Sequence, residues 1–252
     1  MTISVAARAE KNIALDESLA LDVRARRLAM RFSDLEARNI LHHAITVEFP
    51  GRIALVSSFG AESAALLDLV AEIDPATPVI FLETGKHFAQ TISYRKKMVD
   101  RLGFSDVRDI SPSVEATGTN DPDGDLWKLD ADACCTLRKV EPLSGALAGF
   151  DAWITGRKQF HGGGRLQLPA FEAAAAHIKV NPLIRWSNDD IAAYAEAHDL
   201  PAHPLVAQGY PSIGCWPCTH PVAAGGDIRA GRWRGAAKTE CGIHGIQSEI
   251  GS

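Results

Sequence analysis

Residues 51–70 read GRIALVSSFGAESAALLDLV, and the fold turns on how this stretch is read. Ile53-Ala54-Leu55-Val56 is apolar and partly β-branched, bounded by Gly51 on one side and Ser57-Ser58-Phe59-Gly60 on the other. A short apolar run between turn residues predicts a strand buried on both faces. From Ala61 to Ile73 the apolar positions recur at helical spacing, which predicts a helix. The loop between them, Ser57 to Ser63, would present free backbone N–H groups and the positive end of a helix dipole to an anion. Serine hydroxyls add donors, and Gly60 permits close approach. No Gly-Lys-Ser/Thr follows, so this is not a Walker A loop, and it is not G-x-G-x-x-G either.

Working outward, the alternation continues. Pro78 to Leu82 reads as a strand, Phe88 to Leu102 as a basic amphipathic helix and Val107 to Ile110 as a third strand. Asp121 to Asp132 is a polar connection, Cys134 to Leu147 a helix and Asp151 to Thr155 a fourth strand. A fifth strand is expected near Ile178 to Asn181, then a helix from a Ser187 or Asn188 cap to His198. The Ala173 to Ala176 run reads as the flank of a helix or strand. Residues 17–48 are helical in pattern. These elements predict an α/β fold with an open, mostly parallel sheet. One structural domain is expected, with N-terminal helices over 1–50, a nucleotide-binding core over 51–207 and a glycine-, proline- and arginine-rich arm over 208–252. Ligands of such sheets bind outside the carboxyl ends of the strands. The second strand also ends in a donor-bearing loop, Leu82-Glu83-Thr84-Gly85-Lys86-His87. Two such loops make Ser57, Ser58, Gly60, Glu62, Thr84 and Gly85 candidates for holding a nucleotide-like ligand.

The 252 residues are 46% hydrophobic and 23% charged, with a mean hydropathy of −0.04, which excludes a fibre, a disordered tail and a membrane channel. A chain of this length buries roughly 70–75% of its unfolded surface, enough for one core without a covalent staple. No apolar run approaches the ~18 residues of a membrane span. Arg8, Glu10 and Lys11 stand where a signal peptide would be apolar, so a cytoplasmic location is expected. The net charge of −5 argues against a general nucleic-acid binder. Against that background, Arg229, Arg232, Arg234 and Lys238 form a basic segment with no acidic residue from Ile228 to Thr239.

Five cysteines fall in three places: Cys134-Cys135, Cys215-Trp216-Pro217-Cys218 and Cys241. An odd count in a cytosolic chain is not a disulfide framework. The two close pairs supply four thiolates, the number that a tetrahedral zinc ion or an iron–sulfur cluster requires. Adjacent cysteines diverge, which strains closure on one small ion and suits a cluster with separate irons better. At i,i+4 spacing, Arg138 shares a helix face with Cys134 and Lys139 with Cys135. Cations there would stabilise an anionic cluster and could hold an anionic substrate beside it. Cys241 follows the basic segment, where nearby cations lower a thiol pKa and favour a nucleophile.

These residues together resemble the sulfonucleotide reductases of assimilatory sulfate reduction, in particular the iron–sulfur branch acting on adenosine 5'-phosphosulfate. The resemblance runs from about Ile53 to His244. It rests on Ser57-Ser-Phe-Gly-Ala-Glu-Ser63, Leu82-Glu-Thr-Gly-Lys-His87, Cys134-Cys-Thr-Leu-Arg-Lys-Val-Glu-Pro-Leu143, Trp153-Ile-Thr-Gly-Arg157, Ile213-Gly-Cys-Trp-Pro-Cys-Thr219, Gly231-Arg-Trp233 and Glu240-Cys-Gly-Ile-His244. It implies a Rossmann-like sheet of the adenine-nucleotide alpha-hydrolase type. It implies a 4Fe-4S cluster on Cys134, Cys135, Cys215 and Cys218, and Cys241 as the nucleophile that takes the sulfonate from the bound sulfonucleotide. A thioredoxin, or a glutaredoxin-like donor, would then release sulfite. Lys139, Arg229, Arg232 and His244, with the Ser57 to Ser63 loop, would neutralise the phosphosulfate, and Arg157, at a strand's end, would face the nucleotide. The expected partners are therefore a sulfonucleotide and a thiol donor, in a homo-oligomer with no nucleic acid or membrane.

Two features depart from the family pattern. After the fourth strand the chain reads Gly156-Arg-Lys-Gln-Phe-His161-Gly-Gly-Gly-Arg165 in place of Arg-Arg/Lys-x-Gln-Ser, leaving Arg157, Lys158 and Arg165 as candidates to complete the pocket. Glu83 stands where aspartate is usual. Basic donors in the His161 to Arg165 loop would favour an added phosphate, so the 3'-phosphorylated substrate, alone or with the other, is an alternative. An ATP-dependent sulfur-transfer or tRNA-thiolating enzyme is a further one, although it would want Ser-Gly-Gly-x-Asp-Ser where Phe59 and Glu62 stand. A zinc-binding interaction module with an idle Cys241 is the third.

Overall fold

Six strands, three of them apolar over their whole length, assemble into one sheet in the computed structural model, which describes residues 5–161, 165–223, 225–234, 238 and 241–244. The first five elements of the alternation are β1 (Ile53–Val56), α3 (Ser63–Ile73), β2 (Val79–Leu82), α4 (Ala89–Leu102) and β3 (Val107–Ile110), preceded by α1 (Val5–Arg31) and α2 (Ala37–His43). A polar stretch then folds into α5 (Val114–Asn120), α6 (Leu126–Leu129) and α7 (Ala131–Cys135), followed by α8 (Glu141–Ala146) and β4 (Ala152–Ile154). β5 (Phe171–Ala174), β6 (His177–Val180) and α9 (Asn188–Ala197) complete the frame. No helix among the described residues is long and apolar enough to cross a membrane.

The sheet order is β3-β2-β1-β4-β6-β5, parallel throughout except for the β5–β6 pair. Side chains alternate across it as a two-residue period requires. Ile53 and Leu55 enter a core shared with α1, α2, α3 and α4, while Ala54 faces a smaller core with Ile80, Leu82, Leu143, Leu147 and Trp153. Helices on both faces explain why β1 and β2 are apolar without interruption. Each fully buried large side chain among them contributes about 1.5–3 kcal/mol.

The expected strands are all present, and β5 is an addition to them. The Ala173–Ala176 run is the hairpin between β5 and β6, with Ala175 in the left-handed region at φ 52°. Tight hairpins of this kind normally carry Asn-Gly or a similar pair, and its absence hid the turn. The segment read as one helix from Cys134 starts instead at Ala131, because the Asp130 carboxylate accepts from the Asp132 and Ala133 N–H groups at 2.9 Å. It then widens into a π turn over Thr136–Val140, ahead of Pro142, which has no N–H to continue the ladder. The connection over 121–132 contains α6. Residues 208–223 and 225–234 are not a loose appendage: Ile213, Cys215 and Trp233 are buried.

Candidate active site

The sheet order reverses beside β1, whose own connection runs outward to β2 while β4 starts the other half on its opposite edge. The loops that follow β1 and β4 therefore diverge and leave a crevice at the strand ends, where open α/β sheets bind ligands. A cavity of about 220 Å³ lies there, walled by Ser57–Ser63, Thr155–Lys158 and residues of the C-terminal segment including Cys241.

Packing shapes the first loop. Phe59 adopts φ 47°, rare for a bulky residue, and is held there by complete burial against Phe81, with ring centroids 5.8 Å apart. The Ser57 hydroxyl accepts from the Phe59 N–H at 3.2 Å, and the Ser63 hydroxyl donates to the Gly60 carbonyl at 2.7 Å. A Cβ on Gly60 would sit 3.1 Å from the Ile213 carbonyl oxygen, so the close approach expected of this glycine is to the chain's own C-terminal segment. Glu62 pairs with Lys158, Nζ to Oε2 2.7 Å, and Lys158 is 2% exposed. Burial lowers the Lys158 pKa, and the Glu62 carboxylate opposes that shift.

The cavity wall is cationic. Arg157 and Arg165 are buried, and Arg229 and Arg232 stand over the Trp233 ring at 5.6 and 4.4 Å. A Cβ on Gly214 would collide with the Arg232 guanidinium, so that glycine makes room for the arginine. His244 stacks on Trp153 at 6.3 Å, almost coplanar. Burial, then the nearby Arg157, Lys179, Arg165 and Arg229, hold its pKa well below the usual imidazole range, so His244 is neutral. A neutral imidazole there offers a ligand a donor or an acceptor.

Behind this cavity is a second, smaller pocket walled by Cys134 and Cys135 from α7 and by Cys215 and Cys218 from a 3₁₀ turn. The turn is tied in place by the Trp216 N–H, which donates to the Lys86 carbonyl at 2.8 Å, and by the Trp233 N–H, which donates to Cys218 at 3.1 Å. Burial raises the pKa of Cys134 and Cys218. The donor set is four thiols with cations beside them, and this fits an iron–sulfur cluster. A single zinc at ~2.3 Å from each sulfur needs its ligand atoms packed closely. Among the described residues the only three-ligand group within 4.8 Å is Asp68, Glu72 and His198, remote from the thiols in sequence and bound to one another.

Of Thr84 and Gly85, both expected at the substrate, Thr84 lines this second pocket and Gly85 stands next to Arg138. The Thr84 hydroxyl lies 3.3 Å from Cys215 Sγ, and the Thr84 carbonyl accepts from Arg138 at 2.8 Å. Neither residue is on the wall of the larger cavity. Gly85, at φ 68°, donates its N–H to the Glu83 carboxylate at 2.7 Å, so the departure at Glu83 is a loop cap. Arg138 also meets Asp121 through Nε at 3.0 Å and Nη2 at 2.6 Å, with both partners buried. Burial pushes Asp121 up, but the Leu126 N–H and Arg138 outweigh it and hold the carboxyl below its usual range.

Lys139 lines both pockets, as do Cys215 and Trp233. Burial would lower its pKa, but Cys241, Cys215 and Cys135 raise it, so it is a fixed cation. Cys241 faces it from the C-terminal segment. A hydrogen bond from Cys135, with Lys139, the Ile243 N–H and Arg232, holds the Cys241 pKa well below the usual thiol range against its burial. A thiol with these neighbours has the electrostatic setting that a nucleophile requires. Glu240 and the three glycines of the His161 to Arg165 loop lie outside the described residues. Sequence reasoning missed Lys179, a 2%-exposed lysine whose Nζ sits 4.9 Å from the Trp153 ring centroid. The signal was a charge inside the apolar run Ile178-Lys179-Val180.

Residues 52–221 match the phosphoadenosine phosphosulfate reductase domain. The chain is 49% identical over 227 residues to a Chelativorans protein named adenosine 5'-phosphosulfate reductase, covering 90% of this chain and 93% of that one. It is 51% identical over 213 residues to a Mesorhizobium japonicum protein of the same name, covering 84% of each. A crystal structure of phosphoadenylyl-sulfate reductase from Candida auris, in a phosphate complex, aligns with a TM-score of 0.66 at 27% identity, over 78% of this chain and 96% of that one.

Proposed function

The chain belongs to the phosphoadenosine phosphosulfate reductase family, and from that premise we propose that it reduces adenosine 5'-phosphosulfate to sulfite and AMP through a Cys241 S-sulfocysteine. The observation that carries the reading is the place of Cys241, on the wall of a cationic cavity that Lys139 and Arg232 also line, at the reversal of the sheet. The names of the two bacterial relatives favour the nucleotide without a 3'-phosphate.

In this reading the Ser57–Ser63 loop and Arg157 bind the nucleotide, while Lys139, Arg229 and Arg232 spread the phosphosulfate charge and so lower its repulsion against an incoming thiolate. His244, neutral on Trp153, orients without adding charge. The Cys241 thiolate bonds to the sulfonate sulfur as the sulfur–oxygen bond to phosphate breaks, and AMP leaves with the electron pair. A thiol of a dithiol donor, thioredoxin or a glutaredoxin-like protein, then attacks Cys241 Sγ and sulfite departs with its pair. The donor's second thiol frees Cys241 and the donor ends as a disulfide, which balances the two electrons.

Cys134, Cys135, Cys215 and Cys218 would hold a 4Fe-4S cluster. When bound, that group supplies a fixed charge and a structural anchor beside the reacting atoms. The proposal extends to residues 51–207 as nucleotide core and 208–252 as cluster-binding and catalytic arm, and to a cytoplasmic homo-oligomer. Exposed Leu19, Val23 and Met30 on α1 support association of copies.

The test is anaerobic mass spectrometry after incubation with adenosine 5'-phosphosulfate and no donor. A sulfonate adduct on Cys241, released as sulfite by reduced thioredoxin, is the expected result. Full-length protein that acquires no adduct from either sulfonucleotide would overturn the reading.

A further inference from the structure

The edge strand β5, invisible in the sequence pattern, brings an acid to the back of the cationic cavity. Glu172 is the cross-strand partner of Lys179 on β6. Its Oε1 meets the Arg157 guanidinium, lies 3.6 Å from Lys179 Nζ and accepts from Asn181 Nδ2 at 3.3 Å. Asn181 is fully buried and also accepts from the Thr155 hydroxyl at 2.8 Å, which in turn takes the Arg157 N–H at 3.3 Å. The carboxylate is thus built into the frame that aims Arg157 at the cavity. Arg157 and Lys179 are 8% and 2% exposed, and Lys179 lies on Trp153, the ring that carries His244.

A buried cation gains most from an anion when no other anion compensates it. Glu172 is such an anion, supplied by the protein to Arg157 on the wall of the nucleotide cavity and to Lys179, which lies behind it on Trp153. It lowers the attraction these cations exert on a ligand, and its own charge acts against each further negative group that enters. Specificity of this kind comes from penalising the wrong ligand as well as favouring the right one.

We propose that Glu172 determines specificity, acting through Arg157 and Lys179 as an internal anion that sets the cavity for a 5'-phosphorylated adenosine and against the same nucleotide with an additional 3'-phosphate. The inference rests on the nucleotide reading of the cavity given above. Glu172 touches no reacting atom in it; the residue sets charge and holds Arg157.

The experiment measures binding of AMP and of adenosine 3',5'-bisphosphate to the full chain, as wild type, Glu172→Gln, Lys179→Gln and the double variant. Glu172→Gln keeps the size and an amide oxygen for Asn181 while removing the charge. It is expected to raise affinity for the bisphosphate relative to AMP by about tenfold, the factor that ~1.4 kcal/mol represents. The double variant, with one charge of each sign removed, should return the ratio to within about threefold of wild type, an outcome that loss of shape alone would not give. An unchanged ratio in folded Glu172→Gln overturns the inference while leaving the nucleotide reading intact. If Glu172→Gln does not fold, Lys179→Gln decides: one cation fewer against the same carboxylate should disfavour the bisphosphate relative to AMP by about threefold or more, and an unchanged ratio again overturns it. Wild-type protein that binds neither ligand removes the nucleotide reading and this inference with it.

Discussion

The cavity at the strand ends and the thiol pocket behind it share Lys139 as a wall but are built by opposite means. The cavity is lined by guanidinium groups that carry their charge whether or not a ligand is present: Arg157 and Arg165, and Arg229 and Arg232 over Trp233. The thiol pocket is lined by groups that burial keeps protonated, with the Cys134 and Cys218 pKa values pushed up. A metal group must displace those protons to bind, so the pocket's final charge depends on what it holds. The lesson is a division of labour. One site presents fixed positive charge to an anion, and the other presents thiols whose charge depends on what they bind, with Lys139 on the wall of both.

The largest expected effect separates the two sites. Cys241→Ser should take up iron and sulfide and colour like the wild type yet form no sulfonate adduct, whereas Cys215→Ser should lose the iron absorbance itself. Loss of iron in Cys241→Ser would merge the two sites into one. Lys139→Met should damage both sides of the comparison. Removing one preorganised charge from developing negative charge typically costs about 10²–10³-fold, and single-turnover adduct formation should fall by that factor. The pH at which Cys241 reacts should also rise, because Lys139 is among the groups that hold its pKa down. A rate and a pH profile both equal to wild type would remove Lys139 from the substrate side.

Asp121→Asn tests the support of the thiol pocket. Asp121 and Arg138 have side chains 1% and 11% exposed, and breaking one partner of a buried pair costs about 3–5 kcal/mol. Denaturant titration should register that loss, together with faster iron release to a chelator. No change in either would make the pair incidental.

The smallest effect concerns pH. His203 is 1% exposed, accepts from the Leu205 N–H at Nδ1 and meets Thr91 through Nε2, and its burial lowers its pKa to about 4. The unfolded chain takes up a proton near the ordinary 6.5 and the folded chain does not, so stability falls as pH drops from about 6.5 towards 4. The span corresponds to on the order of 3 kcal/mol at most. The half-buried His87 is shifted in the same direction. Thermal midpoints measured across this interval should fall in acid, and His203→Gln should flatten the slope.

Much of this architecture is legible in the sequence. β1, β2 and β4 are apolar runs because both faces of the sheet are covered, and the loop after β1 carries its serines and Gly60 openly. β5 was not legible, since its hairpin turns on Ala175 without a turn signature. Thr84 and Gly85 could be read as a donor loop, but the loop's orientation towards Cys215 and Arg138 depends on the return of the C-terminal segment across it. Lys179 stood in plain view and drew no reading, because a single charge in a strand says nothing of its partner.

By itself, then, the sequence determined the alternation of elements, the four-plus-one division of cysteines and the family to which they point. These follow from local periodicity and residue chemistry, which do not require knowing what lies across the sheet. Only the tertiary structure decided which charges meet: Glu172 with Arg157 and Lys179, Asp121 with Arg138, and Lys139 on the wall of two pockets. The physical reason is that an electrostatic interaction depends on distance and burial, and both were set by strand order and by the path of the C-terminal segment.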